Sequence, residues 1–450
     1  MLFADHLYSK IESYLKLIIF VCLFFSGTAV PVMAQGRMIN GVTGVEMLNF
    51  IKQDLKDYYY DPTFRGMDLE ARFKEAEKQI KAAKSSGQIL AILAQVLVDL
   101  NDSHTRFIPP RLVTSVDYGW RMQMIGDKCY VTAVKAGSEA ASKGLKVSDL
   151  IYSIDSFEPT RDSLWKIQYS YEVLPRPTAR VVIQDTDGSL RAIEIAPRIS
   201  KTSGKEVSVE PDKALYYEVE NQLIICKLRD FELSDNEVDE MMKRIAGHKA
   251  LILDLRGNPG GLVAGLQRLV GYLFDRDIKI ADAKERKGLT PITAKTRSER
   301  NFKGRLIVLV DSESASAAEM FARIIQLEKR GVVIGDQTSG AVMISFHLGH
   351  PIGYKGAQFD PFGPTAFFGV SITDADLIMT DGKSLEHTGV TPDQILMPSG
   401  EDLAARRDPV MAKATGLLGI GYRPESAGRF FPAREETEIK TKEIKEDKKN

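Results

Sequence analysis

Arg305-Leu306-Ile307-Val308-Leu309-Val310 and the nine residues after it, Asp311-Ser312-Glu313-Ser314-Ala315-Ser316-Ala317-Ala318-Glu319, contain the change of period that decides the fold. The first six residues form an almost unbroken apolar run rich in β-branched side chains, which reads as a strand buried on both faces. Asp311 to Ser314 supply turn and N-cap chemistry. Ala317, Phe321, Ile324 and Ile325 then fall on one face of a helix that Gly331 can end. Val332-Val333-Ile334-Gly335 returns to strand pattern, so the stretch reads as one βαβ unit and the chain as an α/β protein. Ser316 lies at or near the start of that helix. Unpaired backbone N–H groups and the positive end of the helix dipole can hold a developing oxyanion there.

Working outward, Ala250 to Leu255 is a second buried-strand pattern, running into Arg256-Gly257-Asn258-Pro259-Gly260-Gly261. Its glycines allow close backbone approach to a substrate and positive φ, although such glycines also serve simply to turn a chain. A serine at a helix start is likewise most often only an N-cap. The pairing of Ser316 with a base is what makes it a candidate nucleophile. Of the six histidines, His6 falls in the leader and His248 in a polar turn. His347 and His350 lie three apart in a Gly- and Pro-containing stretch, with no cysteine or carboxylate cluster at ligand spacing, so neither a metal site nor a cofactor is expected. His104 stands apart because of its neighbours, Asn101-Asp102-Ser103-His104-Thr105.

Taken together, these residues resemble the carboxy-terminal processing (tail-specific) and tricorn-type serine peptidases. The resemblance runs through Leu100 to Thr105, Asp254 to Gly261, the Ser316 segment and Leu385-Glu386-His387-Thr388-Gly389-Val390-Thr391-Pro392-Asp393, in that order. It implies a mixed-sheet, ClpP/crotonase-like α/β core with an inserted PDZ domain and an N-terminal helical bundle. It places the nucleophile at Ser316. In the processing peptidases a lysine of a Thr-x-Gly-Lys segment deprotonates that serine, but here the segment is Thr338-Ser339-Gly340-Ala341. The lysine position therefore carries alanine, and an unassisted serine hydroxyl is a poor nucleophile at neutral pH. The tricorn-like branch uses histidine instead. By that resemblance His104 is the base, Ser103 and Glu386 orient and polarise it, and the backbone N–H of Ala317 with that of Gly260 or Gly261 forms the oxyanion hole. Two rivals remain: an altered base such as Lys355, and an inactive peptide-binding scaffold.

The segment from about residue 113 to 200 resembles a PDZ domain of the bacterial protease type. Its strand pattern covers Lys128 to Val134, and a hairpin is expected from Val181-Val182-Ile183, Asp187-Gly188 and Ala192 to Ile195. Tyr118, Gly119, Trp120, Arg121 and Met122 would form the loop that cradles a peptide carboxylate. Ser148 replaces the usual glycine of a turn. Trp165, Tyr169 and Tyr171, at near-helical spacing, fit a groove or, more commonly, core packing.

The remaining expectations concern organisation and place. With 60 Lys and Arg against 61 Asp and Glu, no basic excess points to nucleic acid, and polypeptides are the expected partners, with recognition of their C-termini left open by the sequence. A run from Leu17 to Val30 followed by Pro31-Val32-Met33-Ala34 reads as a signal peptide over residues 1–34, implying export to the periplasm or the extracellular space, with an uncleaved membrane anchor as the alternative. Cys22 belongs to that leader, and Cys129 and Cys226 are expected as buried free thiols. Val45, Leu48, Ile51 and Leu55, and the apolar positions from Ile89 to Leu100, show helical period within a region spanning 35–112. The α/β core is expected over 201–415 and a solvated, charged tail over 433–450. Nothing in the sequence speaks to an oligomeric state.

Overall fold

The computed structural model describes residues 39–110, 114–185, 188–201, 212–219, 222–352 and 367–430. The leader, Cys22, Asp187, Lys355 and the charged tail lie outside the described residues. Three helices come first, α1 (Gly41–Tyr58), α2 (Leu69–Ala82) and α3 (Ser86–Val98). Asn40, Asp68 and Ser85 cap them by accepting from the backbone N–H of Thr43, Ala71 and Gln88, which satisfies donors that a helix start leaves unpaired. Leu48, Ile51 and Leu55 of α1, Phe73, Ala76 and Ile80 of α2, and Leu93, Val96 and Leu97 of α3 share one buried cluster. The periodicity reading did not single out α2. Its apolar face is a narrow seam in an otherwise charged helix, so only packing against α1 and α3 makes it a core element.

Strand β1 (Arg106–Ile108) leaves this bundle. After β2 (Thr114–Asp117) come β3 (Trp120–Ile125), β4 (Lys128–Val134), β5 (Leu150–Ile154), helix α4 (Leu164–Val173), β6 (Ala179–Gln184) and β7 (Leu190–Ile195). Strands β3 to β7 make an antiparallel sheet in chain order, and β8 (Arg198–Lys201) returns to pair with β2 at its base. The expected hairpin is present, with Val181 opposite Ile193 and Ala179 opposite Ile195. Ser148 keeps the glycine-like turn with φ of 79°, a conformation that costs a side-chain-bearing residue about 1–2 kcal/mol. Tyr169 of α4 is buried among the α1–α3 residues and donates to Phe107 O at 2.7 Å. Tyr171 donates to Asp155 at 2.6 Å, and Trp165 packs against the same helical cluster. All three therefore serve packing, and α4 is the contact between sheet and bundle.

The rest of the chain runs through β9 (Ala214–Val219), β10 (Leu223–Leu228), α5 (Asp235–Ile245), β11 (Ala250–Asp254), α6 (Val263–Gly271), β12 (Ile278–Glu285), β13 (Gly288–Ala294), β14 (Arg305–Val310), α7 (Ala317–Leu327), β15 (Val332–Gly335), β16 (Met343–Pro351), β17 (Phe367–Met379), β18 (Gln394–Ile395) and α8 (Pro409–Leu417). One sheet has the order β18-β15-β14-β11-β10-β9, parallel except for β9. The other has the order β1-β17-β12-β13, with β16 also paired to β17. Phe231, Leu266, Phe321 and Leu377 lie in the core between them, and Val410, Met411 and Ala414 of α8 cover the opposite face of the parallel sheet. The expected βαβ unit is β14-α7-β15. Its helix, however, does not end at Gly331. Lys329 takes the left-handed turn after the Glu328 cap, with φ of 52°. Gly331 is needed two residues later, where a Cβ would stand 2.5 Å from Leu306 O. Cys129 and Cys226 are buried free thiols in different sheets, and burial pushes both up to about 12.

Candidate active site

The loop leaving β14 fixes Ser314 and leaves Ser316 exposed to chemistry. Ser314 is fully buried, donates to Leu255 O at 2.8 Å and accepts from Asp311 N at 3.0 Å, so its hydroxyl is spent on holding the loop. Ser316 occupies the N-cap position of α7 with φ of 54° and ψ of −118°, in a capping box with Glu319. A serine held at positive φ is strained, and such strain persists only where the surroundings over-determine it. They do so here: Ser316 N donates to Ala341 O at 2.9 Å and to Glu319 Oε2 at 3.0 Å.

The glycine turn after β11 packs directly against this serine. A Cβ on Gly260 would stand 2.6 Å from Ser316 Cβ and 2.9 Å from Ala317 N. Only glycine allows the two loops to meet. Gly260 N–H is committed to Asn258 Oδ1 at 2.8 Å, whereas neither Ala317 N–H nor Gly261 N–H has a hydrogen-bond acceptor among the described residues. Of the two glycines weighed from sequence, Gly261 is the one with a free donor. Buried Asn258 ties the arrangement together, with its side chain donating to Leu228 O at 3.0 Å and its carbonyl accepting from Ala315 N at 2.9 Å. Beneath the turn, Arg256 bonds Asp254 and Asp408, both at 2.8 Å.

Glu319 is the residue whose role sequence reasoning missed. Fully buried, it accepts from Ser316 N (3.0 Å), Thr338 Oγ1 (2.6 Å), Gly340 N (2.7 Å) and Ala341 N (3.0 Å). One carboxylate thus holds the nucleophile and the strand end that faces it. Burial pushes it up to about 7, against the pull of these donors. Its position three residues after Ser316, in a helix otherwise apolar on that face, was the available signal: a charge there must find partners.

The base side is assembled from distant segments. Ser103 Oγ lies 2.7 Å from His104 Nδ1 and 2.8 Å from Glu386 Oε2, while Ser103 N donates to Glu386 Oε1 at 2.9 Å. Val342 N also donates to Glu386 at 2.9 Å. Three donors suit an ionised carboxylate, although burial pushes Glu386 up. The Ser103 hydroxyl has one proton, and it goes to Glu386. Ser103 must then accept from His104 Nδ1–H, which leaves Nε2 as the free acceptor. Asp102 supports the turn, accepting from Tyr59 Oη (2.8 Å), His104 N (2.9 Å), Thr105 N (2.9 Å) and Thr373 Oγ1 (2.7 Å). Burial pushes His104 down to about 4; Asp102 pulls it up, and Arg106 and His347 push it further down. His104 is therefore a neutral base at physiological pH.

Ser103, His104 and Glu386 are brought into one hydrogen-bonded set, and Ser316 joins it through a single peptide unit. The Ala341 carbonyl accepts from Ser316 N, and the Val342 N–H of the same peptide donates to Glu386. No hydrogen bond joins Ser316 Oγ to His104, whose ring bonds only to Ser103 among the described residues. Catalytic contacts of this kind often close only when substrate is bound. Ala341, at the position of the family's lysine, contributes backbone alone. His350 is engaged elsewhere, with Asp54 at 2.7 Å and stacked on Phe50, and among the described residues no group of His, Cys, Asp and Glu could hold a metal.

The five expected peptide-binding residues lead into and begin β3. Tyr118 is spent structurally, donating to Arg176 O at 2.7 Å. Gly119 has φ of 74° and a Cβ there would strike Ser138. Trp120, Arg121 and Met122 begin β3, the edge strand of its sheet. Its far end docks on the nucleophile loop, where Gln123 donates to Asp311 at 2.8 Å and Met124 O accepts from Ser312 Oγ at 2.5 Å.

Residues 223–396 match peptidase family S41. The tail-specific protease of Haemophilus influenzae is 25% identical over 296 residues, 60% of this chain and 41% of that protein. The chloroplastic C-terminal processing peptidase of Tetradesmus obliquus is 24% identical over 371 residues, 76% of this chain and 74% of that protein. The chain spans 41% to 64% of the length of the first such relatives. Among solved structures, the photosystem II D1 C-terminal processing protease superposes with a TM-score of 0.52 at 19% identity, over 86% of this chain and 99% of that one. Mature CPAF superposes at 0.61 with 14% identity, over 81% and 94%. At such identities the superpositions establish the shared fold. Residues 223–396 thus match peptidase family S41, and the chain shares the fold of the D1 processing protease and of mature CPAF.

Proposed function

We propose that the chain is an exported endopeptidase that hydrolyses peptide bonds through Ser316, with His104 as general base. The observation that carries this reading is the continuous path from Ser316 N through the Ala341–Val342 peptide to Glu386, Ser103 and His104, beside two free N–H groups. Ser316 Oγ attacks the scissile carbonyl, and His104 Nε2 takes its proton and returns it to the leaving amine. Ala317 N–H and Gly261 N–H receive the oxyanion. Water then hydrolyses the acyl-enzyme by the same route. Ser103 and Glu386 hold the tautomer that leaves Nε2 free.

The β3–β7 sheet is read as a PDZ domain whose ligand strand adds along Trp120 to Met122, the part of the β3 edge not used against the core. Export rests on the leader pattern over residues 1–34. Among the described residues, no helix is long and apolar enough to cross a membrane. The absent Ser316–His104 bond favours one rival, an inactive peptide-binding scaffold. The test is digestion of an unfolded protein and a quenched peptide library by the full chain, by Ser316→Ala and by His104→Ala, read by mass spectrometry. Cleavage lost by about a thousandfold or more in both variants is expected. Full activity in His104→Ala would overturn the histidine mechanism, and an inert parent that still binds peptides would establish the scaffold.

A further inference from the structure

Among the described residues, Arg106 is a cation without a partner beside a base that must itself become a cation. It lies two residues after His104 on the exposed side of β1. Arg161, Arg176, Arg256, Arg268 and Arg323 each pair with an aspartate, but Arg106 has no ionic or hydrogen-bond partner among the described residues. Its cross-strand neighbour is Ser371 of β17, and Ser371 is in turn opposite His347 of β16. Directly opposed residues project their side chains from the same face of a sheet, so Arg106 and His347 flank Ser371 in one row. His347 is exposed, and it too lacks a partner among the described residues.

Such a row opposes catalysis when empty. The Arg106 charge disfavours the protonated form of His104 and so raises the cost of the imidazolium that forms during attack, while partial burial and that same charge hold His347 below the usual imidazole range, as a neutral hydrogen-bonding neighbour. Asp102 works against this cost, but the oxygens of Asp102 and Glu386 are already taken by other donors, which leaves Arg106 itself without a carboxylate. A carboxylate arriving with the substrate would neutralise the row and restore the basicity of His104. The planar guanidinium presents parallel N–H donors that match both oxygens of a carboxylate. His104 protonates the leaving amine, so its flank faces the part of the peptide C-terminal to the scissile bond.

We infer that Arg106 and His347 form a subsite for a peptide carboxylate on the leaving-group side of the scissile bond. It takes either the free C-terminal carboxylate or an acidic side chain, and that its ligand is a peptide rests on the function proposed above. The probes are fluorescein-labelled versions of one peptide, with a free or amidated C-terminus and with glutamate or glutamine near that end. They are titrated against the full chain carrying Ser316→Ala, alone and combined with Arg106→Gln or His347→Ala, and the unlabelled set is offered to the active chain.

Tighter binding of the carboxylate-bearing forms by about tenfold is expected, lost in Arg106→Gln and reduced in His347→Ala. The two arms tell a terminal from a side-chain carboxylate. The amidated glutamine peptide should be bound equally by all variants, which separates subsite loss from general damage. Equal binding of all four peptides, or a preference that survives Arg106→Gln, would overturn the subsite. If the active chain cleaves nothing while the Arg106-dependent preference remains, the peptidase reading fails and the subsite stands.

Discussion

The two halves of the candidate active site are built in opposite ways. The nucleophile half is local: Ser316, Glu319 and Thr338 to Ala341 fall within 26 consecutive residues of one βαβ unit, and Glu319 binds mostly backbone N–H groups. The base half is not. Ser103 and His104 depend on Glu386, 283 residues away from Ser103, and on Thr373, 271 residues from Asp102. A carboxylate that gathers mainly backbone donors shapes a loop, whereas one that holds a serine, which in turn holds a histidine, sets a tautomer. The first is a device for geometry and the second for proton transfer.

The contrast can be broken by exchanging each carboxylate for its amide. Glu386→Gln should lower kcat by about a hundredfold or more, since Ser103 can then turn and His104 lose its tautomer. Its unfolding free energy should change by only about 1 kcal/mol. Glu319→Gln should show the reverse emphasis: it sets an amide N–H₂ against backbone donors, lowering stability by about 3 kcal/mol and kcat by about tenfold. Chemical denaturation and steady-state kinetics on both variants check this, and a Glu319→Gln protein of native stability would end the comparison.

A second test uses pH. His104 is held at about 4 against about 6.5 unfolded. The unfolded chain binds the extra proton between those values, so this half loses stability as pH falls through them. Glu319 is held at about 7 against about 4.3 unfolded, so the folded chain binds the extra proton and this half loses stability as pH rises through that window. The slopes oppose one another from about pH 4.5 to 6.5. Relative to the parent, Glu319→Gln should lose thermal stability more steeply on acidification, and His104→Ala more steeply as pH rises toward 7. Parallel Tm profiles for the three proteins would contradict the assignment.

The smallest expected effect separates useful from incidental strain. Ser148 and Ser316 both have positive φ, but only Ser316, whose N–H is held by the Ala341 carbonyl and the Glu319 carboxylate, stands in the candidate active site. Ser148→Gly should raise stability by about 1 kcal/mol with activity unchanged. Loss of activity in that variant would assign the turn a function.

Which parts of the site were legible follows from the same division. The β14-α7-β15 period, Ser316 at the helix start and the glycine turn could be read because strand and helix period and backbone freedom are properties of neighbouring residues. Helix α2 was missed because its apolar seam acquires meaning only against α1 and α3. The choice of Gly261 over Gly260 could not be read, since it depends on which N–H Asn258 takes. Glu319 was visible as a charge in an apolar helix, but its four partners were not.

By itself, the sequence determined an α/β chain with a serine at a helix N-terminus, an alanine in place of the family's lysine and a histidine in a turn rich in polar groups. Only the tertiary structure decided that Ser103 bridges His104 to Glu386, that one peptide unit links this set to Ser316, and that Arg106 and His347 share a row beside the base. Local periods are written in adjacent residues, whereas a hydrogen-bonded site is a set of coincidences in space between segments hundreds of residues apart, and packing of the sheets and helices creates them.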